Sequence, residues 1–145
     1  MSDNSFEHYW KYFETHSQQR MIVFNFYLAI VGLAAAGIGV ALQQGIKYNY
    51  ITSSISVFLA FVSLIFFKLD QRVTTLIKRS EKALFFFERR FPEDHPKLFQ
   101  SDQLDQNLNS SLTSPWSYGR CFRISFFLIG NISLLMSFVP YIVNK

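Results

Sequence analysis

Apolar positions fall into three long runs, and almost all the charge lies between and outside them. Met21 to Leu42 holds 22 residues without a charge, Tyr50 to Phe67 holds 18, and Ile124 to Val143 holds 20. A helix rises about 1.5 Å per residue, so roughly 20 apolar residues cross a hydrocarbon core of about 30 Å. Buried helices of a soluble bundle keep a polar, charged stripe, and these runs carry none. The pattern predicts an all-α membrane protein with three transmembrane helices. The elements expected are an interfacial helix at 1–20, spans at 21–42, 50–67 and 121–143, a short loop at 43–49, an extension of the second helix over 68–91, and a polar loop at 92–120. The first run is not expected to be a cleaved signal peptide, because some 20 mixed polar residues precede it and it exceeds the length of a signal h-region.

Charge adds an orientation. Ten of the fourteen Lys and Arg residues lie between Lys68 and Arg123, while the loop from Gln43 to Asn49 carries only Lys47. The positive-inside rule places the long loop and the N-terminus in the cytoplasm and the C-terminus in the periplasm of a bacterial inner membrane. Contact with anionic lipid accounts for much of the basic excess, so RNA is not an expected partner. Ser5 to Arg20 is aromatic and amphipathic, with Phe6, Tyr9, Trp10, Tyr12 and Phe13, as expected of a helix in the headgroup layer. Trp116 and Tyr118 resemble a matching belt before the third span.

Each span has a side of small or polar residues. On the first, Asn25, Ala29, Gly32, Ala36, Gly39 and Gln43 follow 3–4 spacing and share one helix face. The second offers Ser53, Ser56, Ala60 and Ser63, and the third Gly130, Ser133 and Ser137, with Asn131 on a neighbouring face. Small residues let helix backbones approach closely in lipid, and amides there seek interhelical hydrogen bonds. Two readings follow. The rows pack three helices of one protomer together, or the first-span seam meets copies of itself and lines a pore. Three rows exceed what one compact trio needs, which favours self-association.

No Gly or Pro interrupts the chain from Tyr50 until Pro92, so one helix of about 42 residues is expected. Beyond the second span it becomes amphipathic: Leu69, Val73, Leu76, Ser80, Ala83 and Phe87 form a stripe flanked by Ile77, Leu84 and Phe91. That stripe needs cover from the N-terminal helix, the membrane surface, a copy of the chain or a cytoplasmic partner. Pro92 and Pro96 end the helix, and a short one capped by Ser101 is expected in the polar loop.

Little in the chain points to catalysis. The single cysteine, Cys121, excludes an intramolecular disulfide. The three histidines, His8, His16 and His95, show no metal-binding spacing, and no glycine-rich phosphate loop is present, so neither metal nor cofactor is expected. No ionisable side chain lies inside a span to mark a proton or ion path through one protomer. One pattern remains. Arg90-Phe-Pro-Glu-Asp-His95 has the Arg-x4-His spacing of ribonucleases of the HEPN superfamily, but two prolines interrupt a motif that normally lies on a helix. Arg90 and His95 are weak catalytic candidates, and the chain is not expected to be an enzyme.

Tyr12-Phe-Glu-Thr-His-Ser-Gln-Gln-Arg20 followed by Phe24-Asn-Phe-Tyr27, then Lys68-Leu-Asp-Gln-Arg72 and Ile77-Lys-Arg-Ser-Glu-Lys-Ala-Leu84, resembles a group of small bacterial membrane proteins. The resemblance covers about residues 9 to 91 and extends to membrane effectors of phage-defence loci, including the accessory membrane protein of type VI-B CRISPR systems. It implies a homo-oligomeric pore that depolarises the inner membrane on infection, with Arg90 and His95 as the remnant of a nuclease motif. The alternatives are an adaptor that anchors a cytoplasmic defence protein through the stripe from Leu69 to Phe91, and an RNA-cleaving enzyme.

Overall fold

The computed structural model describes residues 3–90, 98, 101 and 116–143. Among them the regular elements are all helical: α1 (Asp3–Gln43), a 3-10 turn (Ile46–Tyr48), α2 (Asn49–Glu88), α3 (Tyr118–Met136) and α4 (Val139–Val143). Three helical stretches are long and apolar enough to cross a membrane: Ser5–Gln43, Ile46–Glu88 and Tyr118–Ile142.

The second helix carries the extension expected of a stretch that no Gly or Pro interrupts. Its 40 residues run from Asn49 to Glu88. α1 is likewise one unbroken helix of 41 residues. It ends where Gly45 takes φ 85° and ψ −167°, a backbone conformation open essentially to glycine alone. The Gln44 N–H then bonds to the Ala41 carbonyl, and the Tyr48 N–H to the Gly45 carbonyl, which turns the chain into α2. α3 stops at Met136 because Pro140 has no N–H to offer that carbonyl.

The chain divides into two units, residues 1–20 with 72–117, and residues 21–71 with 118–145. In the first, Phe87 meets Phe6 edge-on at 6.1 Å and Tyr9 at 5.7 Å between ring centres. Ile77, Ser80 and Leu84 are buried along the same side of α2, and Ser80 closes its hydroxyl onto the Ile77 carbonyl at 2.7 Å. The N-terminal segment thus covers part of the stripe.

The second unit holds the three apolar runs around an aromatic core. Tyr27, Val62, Phe122 and Phe126 are buried, with Phe24, Ile30, Val31, Phe66, Phe67 and Ile129 packed on them. Phe24 stacks on Phe122 with ring centres 3.9 Å apart, and Tyr27 meets Phe126 edge-on at 4.6 Å. Bulky residues such as Phe26, Leu33, Phe58, Phe61, Phe127 and Leu135 point outward and stay exposed. Water would penalise so much outward apolar surface, whereas lipid tails solvate it.

Candidate functional site

The small-residue rows of the three spans have different fates. On α2 and α3 they are consumed inside the second unit. Ser56, Ser63, Ser133 and Ser137 are buried. A Cβ built on Gly130 would stand 3.2 Å from the Ser63 Cβ, so glycine sets how closely the two helices approach. Asn131 is exposed and turns its amide onto the Phe127 carbonyl of its own helix at 2.7 Å.

On α1 the row stays open. Asn25, Ala29, Gly32, Ala36 and Gln43 are exposed and Gly39 is half-buried. Nothing stands within 4 Å of a Cβ built on Gly32 or Gly39. The reason is angular. Each residue turns a helix by about 100°, so Tyr27, two residues from both Asn25 and Ala29, faces the opposite way. Tyr27, Ile38 and Ala41 bury that opposite side, and Gly37 packs on Ile55. The chain therefore presents a largely open face of small residues with an amide at each end.

Tyr27 is the functional-looking residue that sequence reasoning passed over. Its hydroxyl lies 2.8 Å from Ser63 Oγ, and Ser63 itself donates to the Leu59 carbonyl at 2.8 Å. A serine has one hydroxyl proton, so Tyr27 is the donor of the pair. The available signal was a tyrosine within an uncharged run, where its hydroxyl requires a partner.

The chain is 53% identical over 138 residues to CD-NTase-associated protein 19 of Escherichia coli, an alignment covering 95% of this chain and 91% of that protein. It belongs to that protein's family. No protein-family model matches the chain, and no solved structure matches it. The name CD-NTase-associated protein 19 attaches the E. coli relative to a CD-NTase and gives no catalytic function.

In this member of the CD-NTase-associated protein 19 family the stripe beyond the second span is partly covered. Leu69 is exposed, Val73, Leu76, Ala83 and Phe87 are half-buried, and the most buried positions are its neighbours Ile77 and Leu84. Arg90 is exposed with its guanidinium 4.8 Å from the centre of the Phe86 ring, and Arg89 lies likewise 5.1 Å from Phe85. His95, Phe91 and the short helix expected after Ser101 lie outside the described residues, so the Arg90 and His95 pairing has no geometry to weigh. Among the described residues no group of three or more His, Cys, Asp and Glu side chains comes together.

Proposed function

We propose that this protein is a homo-oligomeric membrane effector of an anti-phage defence system, acting at the bacterial inner membrane by opening a pore or otherwise depolarising it. The observation that carries this reading is the open face of α1. Two glycines there have no neighbour within 4 Å of a Cβ position, while the equivalent rows on α2 and α3 are already used. Exposed amides at Asn25 and Gln43 gain hydrogen bonds when they face another helix rather than lipid tails, each worth about 0.6–2 kcal/mol. A second copy offers the same amides at the same depth. The association with defence comes from the relative, whose name ties it to a CD-NTase.

In the proposed arrangement the unit of residues 1–20 and 72–117 lies on the cytoplasmic side, following the basic residues, and receives the activating signal there. A second reading is favoured by the word "associated" in the relative's name: an adaptor that holds a CD-NTase at the membrane without opening it. Oligomer mass in detergent, combined with a potential-sensitive dye in expressing cells, separates them. An effector assembles and depolarises, with both lost in Gly39→Leu. An adaptor leaves the potential intact.

A further inference from the structure

One side of α2 carries a polar line inside the second unit, formed by Asn49, Thr52, Ser56 and Ser63 at helical spacing. Thr52 and Ser56 are 0% exposed and Ser63 is 1% exposed. The line is pinned at both ends. Ser63 is bonded by Tyr27 and approached by Gly130, while Asn49 Nδ2 donates to the Pro140 carbonyl at 3.1 Å. Between these two contacts α2 and α3 run antiparallel, so Thr52 and Ser56 come opposite the stretch from Gly130 to Pro140, where Ser133 and Ser137 are also buried.

Two needs meet there. Thr52 Oγ1 and Ser56 Oγ are buried without a hydrogen-bond partner among the described residues. Ser63, on the same line, is bonded twice, and Ser137 gives its hydroxyl to the Leu134 carbonyl at 2.7 Å. The facing stretch of α3 is also where its ladder breaks. Pro140 lacks the N–H that would bond to the Met136 carbonyl, and the single N–H of Ser137 is shared between Ser133 and Leu134 at 3.2 and 3.3 Å. Inside a bilayer, backbone oxygens released by such a break must find donors, and buried hydroxyls must find partners.

We infer that Thr52 and Ser56, together with the broken end of α3, form a site for ordered water. A water molecule both donates and accepts and takes about three hydrogen bonds in such places, which suits hydroxyls and freed carbonyls at once. The line carries no ionised side chain, so a bound cation would meet no counter-charge. Pro140 opens the ladder between α3 and α4, and the water satisfies the groups that this break leaves without partners.

The test is transfer of water proton magnetisation to assigned residues, by solid-state NMR on the full-length protein in lipid bilayers. Thr52 and Ser56 should receive it several-fold faster than Leu59, which is 3% exposed on the same helix. Transfer at the rate of Leu59 overturns the site. In Thr52→Val with Ser56→Ala, transfer to Ser133 and Ser137 should fall several-fold, and unchanged transfer there also overturns it. The wild-type comparison decides alone should the double variant not fold. A Thr52 signal that disappears when Na⁺ and K⁺ are removed would overturn water in favour of a cation.

Discussion

Tyr27 on α1 donates a hydrogen bond from its hydroxyl to Ser63 on α2 at 2.8 Å, and Ser63 in turn donates to the Leu59 carbonyl at 2.8 Å. The two partners are therefore not equivalent. Tyr27→Phe leaves Ser63 bonded to its own helix and keeps the ring in its box with Phe66 and Phe126, so its cost is about 0.6 kcal/mol. Ser63→Ala strands a buried phenol without its acceptor and costs about 1–3 kcal/mol. Unfolding titrations of both variants in mixed micelles check the order. Equal costs would show that the hydroxyl of Tyr27 has another acceptor.

Glycine at two depths should answer differently to the same substitution. Gly130→Leu drives a side chain into the 3.2 Å approach between α3 and Ser63, so the helices of the second unit separate and thermal stability falls. Gly32→Leu meets nothing within 4 Å, so the protomer keeps its helicity and stability. Under the proposed function, its oligomer mass drops and its membrane leakage disappears. Circular dichroism with light scattering in detergent reads both. If Gly32→Leu and Gly39→Leu leave mass and leakage unchanged, the α1 face is not an interface.

Phe87 ties the N-terminal segment to α2 through two rings, Phe6 and Tyr9. Phe87→Ala removes both contacts at a cost of about 2–4 kcal/mol, since the site is only half-buried. Hydrogen exchange should quicken in residues 3–20 and stay unchanged in residues 52–63. Uniform quickening of both stretches would mean that the two units unfold as one.

Arg90 rests on Phe86, an arrangement suited to holding a charge against an aromatic surface. Under the proposed function, Arg90→Ala should leave depolarisation within about twofold of wild type, because such an exposed contact contributes only about 0.5–1 kcal/mol. Cellular RNA should stay intact in both. Loss of an RNA-cleaving activity on this substitution, with assembly retained, would establish the nuclease reading instead.

Length and hydropathy were enough to find three helices, because the cost of charge in lipid leaves a coarse signal that needs no neighbour. The extension of α2 was equally plain from the lack of Gly and Pro between Tyr50 and Pro92. Pairing was not. Which rows meet depends on rotation about each helix axis, and Ser56, Ser63 and Gly130 carry the same pattern as Ala29, Gly32 and Ala36 while facing inward rather than outward. Tyr27 and Thr52 escaped because a residue can be polar at one atom and apolar in bulk. The resemblance to small helical proteins of phage-defence loci fits a relative named for a CD-NTase, whereas the comparison with type VI-B systems remains an expectation.

The tight turn at Gly45 also bears on how the protein reaches the bilayer. Between α1 and α2 the chain carries a single formal charge, Lys47, so under the proposed orientation inserting both spans together as a hairpin translocates one ammonium group, at about 3 kcal/mol were it to cross the hydrocarbon bare. Under the proposed orientation the third span follows a long basic stretch that stays on the cytoplasmic side, so it is inserted on its own. Biogenesis is thereby split into two events, with the nascent hairpin waiting for α3 to complete the aromatic core.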